Sequence, residues 1–225
     1  MTGIISDLHI PFEKEGFIKW TAEQFKLWGV DSVICIGDII DHHAISFHTS
    51  EPEALSPTSE LELALDKLEL LKELFPIMKI CRGNHDKLPK RKLKEMEVPE
   101  NFMKNLAEVY DFPEGWEIAD EWIIDEVLYT HTATGISGAR NMAIAERMSV
   151  VVGHAHSYGK VDYITNRRGE TIFGMYVGCG IEKESYAMRY GKAFKLAPQL
   201  GCGIVVDSEE AYFVPYRDSS IPTIR

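Results

Sequence analysis

Val33-Ile34-Cys35-Ile36-Gly37-Asp38-Ile39-Ile40-Asp41 begins as four apolar residues and breaks at a glycine into two aspartates. A short apolar run bounded by a turn residue reads as a buried strand, which puts the carboxylates at its carboxyl end. The same order of residues recurs on either side. Upstream, Ile4-Ile5-Ser6 leads into Asp7-Leu8-His9; downstream, Ile77-Met78-Lys79-Ile80-Cys81 leads into Gly83-Asn84-His85-Asp86. Between the first two runs, Glu15 to Trp28 places Phe17, Ile18, Phe25, Leu27 and Trp28 at helical spacing. Between the second and third, the leucines from Leu61 to Leu74 mark a helix stopped by Pro76. The first third of the chain is therefore a βαβ alternation, which calls for a parallel sheet.

The second half changes character. Trp122 to Ile124 and Glu126 to Tyr129 read as strands, Gly138 to Arg147 as a helix, and Ser149 to Val152 as another buried strand. Two hairpins follow: Val161 to Thr165 with Thr171 to Val177 around Asn166-Arg167-Arg168-Gly169, and Gly203 to Val206 with Ala211 to Val214 around Ser208-Glu209-Glu210. No repeat or linker divides the chain, so residues 1–225 read as a single domain. His42 to Ser59, with Pro52 and Pro57 among Ser and Thr, reads as a loop long enough for an active-site lid.

Composition narrows the function classes. Of the 225 residues 45% are hydrophobic and 26% charged, enough apolar material for a sizeable core. The net charge of −11 excludes coating of nucleic acid by bulk positive charge, while leaving room for a local basic patch. No apolar run approaches the roughly 18 residues of a membrane helix. The start Met1-Thr2-Gly3-Ile4-Ile5-Ser6-Asp7 has a carboxylate where a signal peptide is basic, so a cytoplasmic location is expected. Cys35, Cys81, Cys179 and Cys202 lie far apart among apolar or glycine neighbours and read as reduced, buried thiols.

Five polar motifs directly follow predicted strands: Asp7-Leu8-His9, Gly37 to Asp41, Gly83 to Asp86, Thr130-His131-Thr132 and Gly153-His154-Ala155-His156. Carboxyl ends of strands are where α/β proteins build sites, and five of the eight histidines fall there. Nitrogen and oxygen donors without thiolate suit Mn²⁺, Fe, Zn²⁺, Ni²⁺ or Co²⁺. More donors are present than one ion with an open position can use, so two divalent ions are expected. Such a pair suits phosphate-ester hydrolysis.

The ordered motifs resemble the calcineurin-like metallophosphoesterases, whose pattern runs DxH, GDxxD, GNHD or GNHE, H, GHxH. All five blocks are present in order from Asp7 to His156. The resemblance implies a four-layer αββα sandwich of two mixed β-sheets flanked by helices. It also implies that Asp7, His9 and His156 hold one metal ion, that Asn84, His131 and His154 hold the other, and that Asp38 bridges them. In such a site a hydroxide between the ions attacks phosphorus, His85 protonates the leaving group, and Asp41 orients His85.

Two positions depart from the phosphoprotein phosphatase branch, which has arginine after GDxxD and closes the third block with glutamate; here these are His42 and Asp86. The GNHD form is more similar to the family's phosphodiesterases and nucleases. The expected substrate is accordingly a phosphodiester of nucleotide or nucleic-acid type, including a nucleic-acid end. The alternatives are a phosphomonoesterase acting on protein or nucleotide, and a metal-binding interaction scaffold without turnover.

Candidate substrate contacts are His42, Lys87, Lys90, Arg91 and Arg140. Lys87, Lys90, Arg91, Lys92 and Lys94 cluster immediately after the third block, interrupted by Pro89; they read either as a polyanion contact or as a solvated helix face beside Glu95 and Glu97. Arg140 follows Gly135-Ile136-Ser137-Gly138 at the start of a helix. His43 and His48 in the proline-containing loop are further candidates, or exposed histidines without a role.

Overall fold

A computed structural model describes residues 1–47, 52–133, 135–185, 187 and 196–217. Two mixed sheets carry the architecture. The first is six-stranded, in the order β11-β10-β1-β2-β3-β4: β1 (Thr2–Ile5), β2 (Ser32–Cys35), β3 (Met78–Cys81) and β4 (Trp116–Ala119) run parallel, and β10 (Gly201–Val206) and β11 (Glu210–Pro215) form an antiparallel hairpin on β1. The second, β5-β6-β7-β9-β8, is built from β5 (Glu121–Ile124), β6 (Val127–Thr130), β7 (Ser149–Val152), β8 (Gly159–Thr165) and β9 (Thr171–Val177). In it β6, β7 and β9 are parallel, and β5 and β8 pair antiparallel at the edges.

Three clusters of buried side chains define the layers. Phe17, Phe25, Leu68 and Leu71, from α1 (Phe17–Trp28) and α2 (Pro57–Leu74), pack on one face of the first sheet with Ile5, Cys35 and Ile80. On the opposite face, Ile4, Ile34 and Ile36 meet Tyr129, Val151, Phe173 and Met175 of the second sheet. The outer face of that sheet, Leu128, Val150 and Val152, is covered by Ala139, Met142 and Ala143 of α5 (Ala139–Glu146). Helix, sheet, sheet, helix is the four-layer sandwich anticipated from the sequence. Each fully buried large side chain between the sheets stabilises it by roughly 1.5–3 kcal/mol.

Local chemistry sets the element ends. Helix α1 is flanked by Gly16 (φ 78°) and Gly29 (φ 71°), both in the left-handed region that glycine adopts cheaply. Helix α2 starts at Pro57, four residues before Leu61, because the Ser56 hydroxyl accepts from Ser59 N–H at 3.1 Å and proline suits the first helical position. The expected lid is therefore shorter: His43–Ile45 is a 3₁₀ turn and the helix takes over at Pro57. His48 lies outside the described residues. Pro89 does not break the basic segment but sits in the first turn of α3 (Leu88–Glu95), where its missing N–H costs little.

Strand β4 and the one-turn α4 (Leu106–Val109) were not read from the sequence. Cys35, Cys81, Cys179 and Cys202 are buried free thiols, and burial pushes Cys81 and Cys202 up to about 12, which suppresses the reactive thiolate.

Candidate metal centre

All five motifs converge at the carboxyl ends of β1, β2, β3, β6 and β7, where the two sheets meet. The loops interlock through the backbone: Asp7 N–H donates to the Gly37 carbonyl at 3.0 Å and His9 N–H to the Asp38 carbonyl at 2.9 Å. Asp7, His9, Asp38 and His154 all have φ between 50° and 63°. Left-handed backbone at a non-glycine residue costs about 1–3 kcal/mol and collects where function aims side chains. The glycine of the third motif is there for space, since a Cβ on Gly83 would lie 2.0 Å from Asp38 Oδ1 and 2.3 Å from Asp38 N.

The side chains leave a concentration of lone pairs that suits a cation. His131 Nδ1 donates to the Ile36 carbonyl at 2.8 Å, so its Nε2 turns toward Asn84 Oδ1 at 2.9 Å and Asp38 Oδ2 at 3.1 Å. His9 Nδ1 donates to Asp41 Oδ1 at 2.5 Å, which turns its Nε2 onto His156 Nε2 at 3.1 Å and to 3.8 Å from both Asp7 Oδ1 and Asp38 Oδ2. His156 Nε2 is also 3.0 Å from Asp7 Oδ1. Asp38 Oδ1 accepts from His85 N–H at 2.8 Å, whereas Asp38 Oδ2 is buried and faces the His131 and His9 ring nitrogens. Leaving such an oxygen unmatched is costly, and a divalent cation satisfies it.

The donor atoms fall into overlapping groups: Asp7 with His9 and His156, Asp38 with His131 and His154, and His9 with Asp38 and His85. All seven residues expected as ligands are thus brought together, with Asn84 held against His131. Their chemistry fits a divalent metal site with nitrogen and oxygen donors.

Electrostatics agree. Although burial opposes it, the His131 charge beside Asp38 holds that carboxyl at about 2, and the same contact lifts His131 to about 9. His9 is raised well above the ordinary imidazole range by the Asp41 and Asp7 carboxylates, again against desolvation. These rings bind protons through the same nitrogens that a metal ion would take.

His85 stands at the edge of this cluster. Its Nδ1 donates to the Asp41 backbone carbonyl at 2.6 Å and lies 3.2 Å from Asp41 Oδ1. Desolvation is the largest influence and lowers its pKa, but the Asp41 hydrogen bond together with the Asp38 and Asp41 charges outweighs it, and the net shift is upward. The Asp41 carboxylate does more than orient His85, since its shortest contact is to His9.

Two roles were not read from the sequence. Asp86 accepts from four backbone N–H groups, Gly83 (2.9 Å), Asp38 (2.8 Å), Ile39 (3.1 Å) and Ile40 (3.3 Å), and so staples the second motif to the third. These donors oppose burial and the Asp38 charge, which push its carboxyl up to about 6. His42, expected as a substrate contact, has both ring nitrogens engaged by protein groups. It is buried, its Nδ1 donates to the His85 carbonyl at 2.9 Å, and its Nε2 accepts from the Tyr110 hydroxyl at 2.9 Å. Burial lowers it to about 4, consistent with a neutral ring bracing the His85 backbone.

The remaining candidates lie further out. Lys87 pairs with Asp120 at 3.0 Å, Lys90 pairs with Glu100, and the Arg91 guanidinium lies 5.3 Å from the Phe47 ring centroid. Arg140 is exposed in the first turn of α5, on the helix that covers the outer face of the second sheet. Among the described residues, no helix is long and apolar enough to cross a membrane.

Comparison with known proteins places the chain. No curated protein sequence matches it significantly. Solved structures similar to it include YfcE, a phosphoesterase from E. coli (17% identity, 82% of each chain covered, TM-score 0.42), and the nuclease MPE of Pseudomonas putida (14%, 82% of this chain and 76% of that one, TM-score 0.39). Vps29 of Chaetomium thermophilum is a third (13%, 91% and 84%, TM-score 0.43). The family profile described as calcineurin-like phosphoesterase matches residues 2–172, which span every one of the five motifs. With that match over most of its length, the chain belongs to the calcineurin-like phosphoesterase family.

Proposed function

We propose that the protein is a dinuclear-metal-dependent phosphoester hydrolase. One observation carries the reading: Asp38 Oδ2 is a buried oxygen 3.1 Å from His131 Nε2 and 3.8 Å from His9 Nε2, so a single carboxylate addresses both groups of ligands. Asp7, His9 and His156 would hold one ion, Asn84, His131 and His154 the other, and Asp38 both. Divalent ions there supply charge neutralisation for a phosphoryl group and a water nucleophile at neutral pH, and Mn²⁺ suits the donor set.

The chain's own residues do the rest. Asp41 fixes the His9 ring so that Nε2 faces the ligand cluster, and its carbonyl fixes His85 by Nδ1. His85 keeps Nε2 available to carry a proton to a leaving oxygen. Asp86 and His42 hold the two backbone turns that present Asp38 and His85. The positively charged face from Lys87 to Lys94 favours a phosphodiester of nucleotide or nucleic-acid type, which brings further anionic groups past the reacting one.

The test compares bis(4-nitrophenyl) phosphate with 4-nitrophenyl phosphate on Mn²⁺-loaded protein. Faster hydrolysis of the diester, lost in Asp38→Asn, is the expected result. A faster monoester makes the protein a phosphomonoesterase. No turnover of either with metal bound would leave it a scaffold.

A further inference from the structure

Behind the Gly83–Asp86 turn, beside the Lys87 to Lys94 face, lies a cavity of about 750 Å³. Its lining contains none of the seven expected metal ligands and not His85. The walls come from the first turn of α2, from α3, and from residues 100–110 around α4. Leu61, Met103, Leu106 and Val109 make them largely apolar, while Tyr110, Glu60, His42 and Asp86 are buried polar members. That volume and lining are in the range of small-molecule sites.

Charge selects the ligand class. Six exposed cations line the cavity, Arg82, Lys87, Lys90, Arg91, Lys94 and Lys104, in a chain whose net charge is −11. Of the four carboxylates that join them, Asp86 is consumed by four N–H donors, Asp120 and Glu100 pair with Lys87 and Lys90, and Glu60 is buried. Among the described residues, Lys94 and Lys104 are in no ion pair.

Glu60 already accepts from Ala44 N–H at 2.7 Å, so an occupant must bring an anionic group to the rim and an apolar body to the walls. A planar base on a sugar phosphate has both. We propose that this cavity is a second, metal-independent site for a nucleoside monophosphate, with the base against Leu61, Leu106 and Val109 and the phosphate toward Lys94 and Lys104. His42, which lines the cavity and bonds the His85 carbonyl, and Asp86, which lines it and accepts from Asp38 N–H, are shared between this site and the metal centre.

Calorimetric titration of the full chain with adenosine monophosphate, with and without EDTA, tests the proposal, with adenosine and inorganic phosphate as separate arms. The nucleotide should bind at one site equally well in EDTA, at least about tenfold more tightly than either fragment. The double variant Lys94→Glu/Lys104→Glu, on exposed positions that do not threaten the fold, should weaken it by about tenfold or more, and Val109→Trp should abolish it by filling the cavity; neither should change Mn²⁺ binding. Binding only in the presence of Mn²⁺, adenosine or phosphate binding as well as the nucleotide, or a rim variant equal to wild type would each overturn the proposal. None of these readouts is hydrolysis, so failure here is distinct from failure of the phosphoesterase reading.

Discussion

His85 is one residue from the expected ligand Asn84, yet its Nδ1 is spent on the Asp41 carbonyl, which suits a proton carrier held at a fixed angle. A general acid is worth about 10²–10⁴-fold, and least when the leaving group is already a stable anion. His85→Asn should therefore keep both metal ions and collapse turnover of nucleoside or alkyl esters, while losing much less on nitrophenyl esters. The ratio of the kcat/KM losses for the two leaving groups is the quantity to measure. A ratio near one, or a metal count that falls with activity, makes His85 a ligand or a phosphate clamp.

Asp41→Asn should act differently from a simple weaker copy, because Asp41 Oδ1 is 2.5 Å from His9 Nδ1 and 3.2 Å from His85 Nδ1. Loss of a carboxylate behind a metal-ligating histidine typically costs about 10–100-fold in affinity, so Mn²⁺ titration should show that loss alongside the rate.

Glu60 gives a pH signature away from the ligands. Burial raises its pKa from 4.5 to about 7, so between those values the folded chain retains a proton that the unfolded chain has released. Its contribution is complete below pH 4.5 and is lost as pH rises through about 7. Glu60→Gln should flatten the fall of stability across that window in denaturant melts; an unchanged slope contradicts the assignment.

At the scale of elements, the site is a set of turns that end parallel strands, and the glycines decide how closely those turns approach. Gly83→Ala puts a methyl 2.0 Å from Asp38 Oδ1, against an oxygen already fixed by His85 N–H. The variant should lose Mn²⁺ affinity and thermal stability together; wild-type values for both would show that the turn is slack.

Much of this was legible because strand, turn and donor are contiguous: Ile4 to His9, Val33 to Asp41 and Ile77 to Asp86 each carry the whole message in one segment. The start of α2 was also present, in Ser56 before Pro57, though the leucine spacing drew attention to Leu61. What escaped depends on partners distant in sequence. The one-turn α4 has too little length for periodicity, and β4 is only four residues long and is defined by its pairing with β3. Nothing near Asp86 announces that it will collect N–H groups from residues 38–40, or near His42 that Tyr110, 68 residues on, will cap its ring.

For the whole molecule, the sandwich matters because neither sheet carries a complete ligand set. The first supplies Asp7, His9, Asp38 and Asn84, the second His131, His154 and His156, and the core between the sheets fixes their separation. Phe173 and Tyr129 are fully buried in that core. Truncation of an aromatic core side chain typically costs about 3–5 kcal/mol, so Phe173→Ala should shift the denaturant midpoint accordingly while α5 still packs outside.

The central claim is that one carboxylate serves two ions. Metal analysis combined with electron paramagnetic resonance of Mn²⁺-loaded protein tests it directly, since ions sharing a bridge sit roughly 3.5–4 Å apart and their spins couple. The wild-type chain should hold two Mn²⁺ with a coupled spectrum, and Asp38→Asn should lose the coupling and weaken at least one site. One ion per chain, or two with the spectrum of isolated Mn²⁺, would contradict the account.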